Sequence, residues 1–584
     1  LPGLAWGPLM LETFDAHTDL DAVADLCIVG SGPAGATLAD ELLRLCAERG
    51  LTPPKVVLVE SGARTATRRA SALRAVESRG LSIKEYSRER LLGGTSSTWA
   101  GLSAPLDPCD FEPRAGLCPG SHWPVGREAL WPYYERASRL HGFAPLERFA
   151  PGALAETRAR GQLTPTWRAL EEKVFLAADP PQRFGQRLRA RFESPELRVL
   201  LGAHAVRLEA ELDAAGEAAI VGVHLAPAAG PARLLRARRV VLACGGIENA
   251  RLLLNSPDPR GGSLGNRHDQ VGRYFMNHPK NYHGVLRLAR PIESAPFFFG
   301  FLADGFAGYG GLRLSEAEQR RRGLLNSYVR LEPLFPWSDN RGVESLVTLA
   351  KRASFLLQSW KKAQRGKLVE LRDYSETGDD SDLQNAGGGP GKLFAWLWLV
   401  LRHLPSVLQY AWFRAVARRA PRIQRVRLRN FMEMEPDPEN RVVLAETRDA
   451  HGLPLPRVEA RVTLRDRRSM VAVQSALAEE LERLGLGRIE RPLGPEHEAP
   501  ESPWPIDQDA SHHLGTTRMG RDPRSSVVGP ELEVHGVRGL YAAGGSVFPT
   551  SGCANPTYTL VALSLRLAEH LLGLRPSDAR PPAP

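Results

Sequence analysis

Residues 26–35, LCIVGSGPAG, restrict the possible folds of this chain more than any other stretch. Leu26, Cys27, Ile28 and Val29 make a short apolar run of the kind buried on both faces of a parallel sheet. Gly30, Gly32 and Gly35 follow in G-x-G-x-x-G spacing, and Leu38, Leu42 and Leu45 then recur at helical intervals. Gly30 permits a tight turn, Gly32 lets the backbone approach a pyrophosphate, and Gly35 lets the helix pack closely on the strand. The start of that helix offers free N–H groups and the positive end of its dipole to phosphates. A second apolar run, Val56, Val57, Leu58 and Val59, ends in Glu60, which is placed to accept hydrogen bonds from an adenosine ribose. A lone glycine triplet would suit any βαβ unit; the second strand and its terminal acid make this one a dinucleotide site.

The 584 residues are too many for one core, so two or more domains are expected. Hydrophobic residues at 43% and charged residues at 24% are ordinary for a globular protein. The net charge of +10 is spread thinly, with local clusters at 320–322 and 414–422, and reads as solubility with some attraction for anionic surfaces. No zinc finger, RNP motif or basic-aromatic stripe points to nucleic acid, and no metal site is expected. Cys27, Cys46, Cys109, Cys118, Cys244 and Cys553 form no C-x-x-C pair, and Cys27 and Cys244 fall in predicted buried strands. They are read as reduced, in a cytoplasmic protein, although spacing leaves a Cys109–Cys118 pair open. The first residues lack a basic region followed by an apolar core, so no secretory leader is expected, and Met10 is the expected natural start.

A polar, helical segment is predicted over 63–78, and residues 90–101, RLLGGTSSTWAG, follow it. Adjacent glycines before four small hydroxyl residues form a loop whose amides can come close to a ligand. Here the chain resembles the glucose-methanol-choline (GMC) flavoprotein oxidoreductases, which bind FAD in a Rossmann-type domain assembled from discontinuous segments. The resemblance implies that Gly93, Gly94 and Ser96 belong to a loop covering the isoalloxazine ring and pyrophosphate. In the family's pyranose-oxidising branch that loop carries a histidine joined covalently to the flavin. Thr98 stands at that place here, before a matching Trp99, so a non-covalent FAD is expected. Residues 105–114 and 122–134, rich in proline and aromatics, also resemble the sugar- and polyol-active branch.

Residues 150–195 are expected to be helical, and a strand is predicted over 199–208, with short strands near 220–225 and 234–236. Residues 240–246, VVLACGG, repeat the strand-to-glycine pattern through Gly245 and return the chain, by resemblance, to the FAD domain. By the same resemblance Val206 contacts the adenine through its backbone, and His278 in the segment 271–279 is structural. Between 286 and 424 the resemblance fades. Runs at 297–301 and 327–334 suit strands of a sheet roofing the flavin, and 373–391 reads as a mobile loop. Residues 393–401 are nine consecutive apolar residues, about half of a bilayer span. The stretch 393–416 is a buried helix, a lid, or an interfacial helix with basic edges; membrane contact is the less favoured of these. Strands at 425–444 and 453–463 and an amphipathic helix at 465–484 follow.

Near the C-terminal end stand SHHLGTTRMG (511–520), GLYAAGGSVFPT (539–550) and CANPT (553–557). By resemblance His512, three before the Gly-Thr pair, is the catalytic base, and Asn555 is its partner, as in the sugar-oxidising branch. Gly545, Ser546, Pro556 and Thr557 are expected beside the flavin, and His513 either lines the pocket or points away. The residue types suit the reaction: oxidising an alcohol through a flavin moves a hydride to flavin N5 while the hydroxyl proton leaves. A neutral imidazole can take that proton. An amide beside it can hold the oxygen where alkoxide charge develops.

The fold expected is α/β: a discontinuous Rossmann-type FAD-binding domain from 20–145, 196–285 and 505–584. An α+β substrate domain from 146–195 and 286–504 carries a roofing sheet and a helical insertion near 345–422. The function expected is FAD-dependent oxidation of a sugar, glycoside or cyclitol hydroxyl, with oxygen, quinone or a carrier protein as acceptor. The alternatives are a membrane-surface dehydrogenase of long-chain or lipid alcohols and a redox-neutral lyase of the same fold.

Overall fold

The computed structural model describes residues 11–150, 165–178, 180–292, 301–303, 305–360, 390–417, 422–505 and 511–574. Most of the 297–301 run and of the loop expected at 373–391 lies outside them. Six parallel strands form one sheet in the order Leu11–Thr13, Leu197–Leu201, Val56–Glu60, Leu26–Val29, Val240–Leu242 and Leu540–Ala542. The Leu26–Val29 strand is central and buried throughout, as its unbroken apolar run requires. The helix Pro33–Arg49 leaves it directly and packs beside the last helix, Thr557–Leu571. Segments from both ends and the middle of the chain therefore share one Rossmann-type sheet and one core.

A second, antiparallel sheet runs through Phe301–Ala303, Phe306–Leu314, Tyr328–Leu334, Ile423–Phe431, Val285–Ile292 and Gly487–Glu490. The amphipathic helix Leu464–Arg483, capped by Thr463 and Asp466, contributes Met470, Val473 and Leu477 to that sheet's own core. The strand Leu170–Ala178 joins this sheet, paired residue for residue with Phe306–Leu314, where the sequence suggests helix. Its first half reads as polar because Glu171 and Lys173 meet buried ionic partners, Arg313 and Asp107.

Two other expectations are corrected. The run 199–208 is not one strand but two, Leu197–Leu201 and His204–Leu212, because Gly202 turns the chain at φ +69 between the parallel sheet and a small neighbouring sheet. The 63–78 segment holds only the short helix Arg68–Ala72 before the strand Glu77–Gly80 pairs with Pro454–Ala460. Among the described residues the insertion holds the helix Arg341–Trp360 with Pro390–Arg402 and Leu404–Trp412 laid against it. Its outer side chains are exposed, which rules out a helix buried all round. Among the described residues no helix is long and apolar enough to cross a membrane, and all six cysteines are free thiols.

Candidate active site

Three adjacent strands end level with one another, with Val29, Leu242 and Ala542 in register, and each continues into a glycine. Gly30 and Gly35 are packing positions: an added Cβ would stand 2.5 Å from the Ala243 carbonyl oxygen at Gly30 and 1.9 Å from the Gly30 oxygen at Gly35. Gly32 and Gly245 differ, with no heavy atom within 4 Å of such a Cβ, so the backbone there faces open space. Gly32 is also the cap of the Pro33–Arg49 helix and has no side chain to satisfy the first amides.

The Gly93–Gly94 loop closes over this turn. A Cβ on Gly94 would lie 2.9 Å from Gly32 Cα, and Gly93 N donates to Ser31 Oγ at 3.1 Å. Ser31 Oγ donates in turn to Glu60 Oε2 at 2.6 Å, and Glu60 Oε1 accepts from Gly62 N at 2.8 Å. Glu60 thus braces the glycine turn. Ser96 turns inward, donating to the Gly93 oxygen at 2.6 Å and accepting from Phe184 N at 3.1 Å, so its hydroxyl shapes the loop. Thr98 is exposed, its hydroxyl on the Thr95 oxygen. Val206 sits apart, at a bulge between Ala205 and Arg207, its carbonyl accepting from Asn255 Nδ2 at 2.9 Å. It lines a cleft with Arg69, Asn255 and His451.

Gly545 and Ser546 follow the Leu540–Ala542 strand. Ser546 Oγ accepts from Asn249 Nδ2 at 2.8 Å, and a Cβ on Gly545 would meet Leu514 at 2.6 Å. Among the described residues the buried hydroxyls of Thr517 and Ser551 have no hydrogen-bond partner. Open backbone at Gly32 and Gly245, an uncapped helix start and these hydroxyls fit the pyrophosphate and polar ring edges of FAD.

The two predicted catalytic residues come together: Asn555 Nδ2 lies 3.2 Å from His512 Nε2. Pro556 and Thr557 then open the helix Thr557–Leu571, a rigid base for Asn555. The other ring nitrogen, His512 Nδ1, lies 2.7 Å from Nδ1 of His278, with the two rings at 79°. Met276 and Leu514 form an antiparallel bridge that sets these segments side by side. Asn277 Oδ1 ties them again, accepting from His278 N at 2.8 Å and His512 N at 3.2 Å. His513 takes another course: its carbonyl packs against Gly246, and its ring stacks on Phe275.

Proton placement follows from the acceptors. His278 Nε2 lies 2.7 Å from the Gly552 carbonyl, which can only accept, so with neutral rings that nitrogen carries the proton. His278 Nδ1 is then an acceptor, His512 Nδ1 its donor, and His512 Nε2 carries the lone pair facing Asn555. Sequence treats His278 as structural; the Asn277-His278-Pro279 run was the available signal, and its meaning depends on the pairing with residues 512–514.

Beneath Gly552 lies a buried ionic cluster that sequence does not reveal. Glu433 accepts from Gly552 N at 3.2 Å and takes a two-pronged hydrogen bond from Arg114 at 2.6 and 2.7 Å. Burial would raise the Glu433 carboxyl, but the Arg114 guanidinium outweighs it and holds the group below its ordinary range. Burial likewise opposes Asp107, yet Arg313 and Lys173 keep it well below that range. Asp110, buried between Asp107 and Glu433, is pushed up to about 7 by desolvation and then by those two charges. Asn326 Nδ2 joins Asp107 and Asp110, at 3.0 Å to each.

Residues 436–564 match the family model described as GMC oxidoreductase, and residues 25–266 match that of FAD dependent oxidoreductase. The chain is 26% identical to 6'''-hydroxyparomomycin C oxidase of Streptomyces lividus over 97% of its length and 95% of that protein's. It is also 26% identical to paromamine 6'-oxidase of Streptomyces fradiae, over 97% and 94%. A C-glycoside 3-oxidase of Arthrobacter globiformis is 38% identical over 23% of this chain and 24% of that one. Among solved structures, formate oxidase of Aspergillus oryzae aligns with a TM-score of 0.53 at 16% identity, covering 95% of this chain and 99% of its own. That likeness shows the fold.

Proposed function

The chain belongs to the GMC oxidoreductase family and is an FAD-dependent oxidoreductase of CH–OH groups; from that premise we propose that it oxidises a hydroxyl of a sugar or glycoside, aminoglycosides included, to the carbonyl. The substrate class is supported by relatives named as oxidases of aminoglycosides and C-glycosides, two of them similar along nearly the whole chain. The observation that carries the chemistry is His512 Nε2, left as an acceptor beside the Asn555 amide.

Bound FAD supplies the hydride acceptor, a chemistry that belongs to the cofactor. Gly32, Glu60, Gly93, Gly94, Gly245, Gly545 and Ser546 would hold it, with Gly30 and Gly35 packing the turn and Ser96 setting the loop. His512 Nε2 takes the hydroxyl proton as the carbinol hydrogen departs as hydride. Asn555 Nδ2 donates to the same substrate oxygen and stabilises its developing negative charge. His278 positions the base by accepting from Nδ1, so that the ring cannot present the wrong tautomer. Glu433 and His278 grip Gly552 from its two peptide groups and fix the loop that delivers Asn555. Thr98 lacks the ring nitrogen through which a histidine there would link to flavin, which supports FAD held without a covalent bond.

The test is an anaerobic spectrum of the FAD-loaded enzyme with aminoglycosides, simple glycosides, free sugars, cyclitols and long-chain alcohols added in turn. Bleaching by the sugar-bearing alcohols supports the proposal; bleaching by long-chain alcohols alone, or by nothing, overturns it. His512→Ala should slow the bleaching by about 10²–10⁴-fold, the usual worth of a general base, with FAD still bound. Acid precipitation should leave the yellow colour in solution; colour in the pellet would refute non-covalent binding.

A further inference from the structure

Nine of the twelve exposed large hydrophobic residues among the described residues fall between 393 and 416. Scattered apolar residues on a surface are ordinary, but a concentration on one element marks a contact surface. The helices Pro390–Arg402 and Leu404–Trp412 have two apolar sides. The inner side, with Val400, Val407, Tyr410 and Phe413, packs towards Trp337 and Val343 of the antiparallel-sheet core. The outer side presents Phe394, Leu397, Trp398, Leu401, Leu408 and Trp412, spaced at three and four residues, with Phe394 75% and Trp398 63% exposed.

Charge identifies what this side fits. From 390 to 422 the chain has six Lys and Arg and no Asp or Glu, a one-signed stretch that does not count the arginines of the Ile423–Phe431 strand, where Arg427 and Arg429 pair with Asp339 and Glu332. Arg402 and Arg414 are exposed at the ends of the two helices. Two copies of the chain meeting through this face would bring like charges together, which disfavours a second copy as the occupant. An anionic bilayer surface complements both features, taking apolar and indole side chains at its acyl boundary and guanidinium groups among its headgroups. The helices have 13 and 9 residues, too short to span.

We propose that the outer face of the 390–416 helices seats this enzyme on the surface of an anionic phospholipid membrane, without crossing it. The contact is independent of the substrate and stands whether or not the sugar proposal does. The test is flotation of the full-length, FAD-loaded enzyme with vesicles of mixed phosphatidylglycerol and phosphatidylcholine, and with phosphatidylcholine alone, at low and high salt. The enzyme should float with the anionic vesicles, and roughly tenfold less with neutral ones or in high salt. The triple variant Phe394→Ser, Trp398→Ser, Leu401→Gln changes only exposed side chains. It should keep its flavin spectrum and melting temperature while flotation falls roughly tenfold. Failure of the wild-type enzyme to float with either vesicle, equal flotation of the triple variant, or self-association abolished by the triple variant without vesicle binding would each overturn the proposal.

Discussion

Each nitrogen of the His512 ring meets a different neighbour, and the asymmetry gives the site a direction: proton held on the His278 side, lone pair on the Asn555 side. His278→Ala should therefore lower kcat at least tenfold with KM little changed and FAD retained, because the proposed base is present but misoriented. His278→Gln, whose amide oxygen can still accept from Nδ1, should recover part of that loss; steady-state kinetics of the two variants checks it. The glycines divide just as sharply. Gly35→Ala forces a Cβ into the Gly30 carbonyl and should lower the melting temperature with or without cofactor. Gly32→Ala meets only open space in the protein and should leave apoprotein stability unchanged while weakening FAD binding, read by flavin titration.

At the scale of elements, the parts legible in sequence were those whose meaning is local. The Leu26–Val29 strand, its glycine turn and the Pro33–Arg49 helix carry their own pattern of period and turn chemistry. The Leu170–Ala178 strand did not, because Glu171 and Lys173 are satisfied only by groups on other segments, and His278 gained its place only through the Met276–Leu514 bridge. The insertion helices were legible as helices, but two apolar sides cannot be told from one buried all round until packing covers one of them. The cluster under Gly552 joins residues as distant as Arg114, Asn326, Glu433 and Gly552, which no spacing announces. Glu433→Gln would leave the Arg114 charge buried without its counter-ion, a change that typically destabilises by about 3–5 kcal/mol. A fall in the thermal midpoint is the expected result; Glu433→Ala, which also removes the acceptor of Gly552 N, should reduce kcat as well.

For the whole molecule, the same cluster predicts how stability follows pH. Asp110 has a folded pKa of about 7 against 3.8 in the unfolded chain, so the folded protein keeps a proton there that the unfolded chain gives up. Its contribution is fully present below pH 3.8 and is withdrawn as pH rises towards 7. Asp107 and Glu433, held below their ordinary range, act oppositely: their contribution is present above the unfolded pKa and lost as pH falls through the folded one. Asp110→Asn should therefore flatten the fall in melting temperature between about pH 4 and 7, and an unchanged slope would refute the assignment. The sheet order has a consequence in time as well as space. Val240–Leu242 lies between Leu26–Val29 and Leu540–Ala542, so one of its edges is closed only by a strand made much later. As the chain emerges from the ribosome, that edge stays open to pairing with any passing strand until Leu540–Ala542 arrives. The same late arrival brings Gly545, Ser546 and Asn555, so the proposed cofactor cradle and the closing of that edge are completed in a single step.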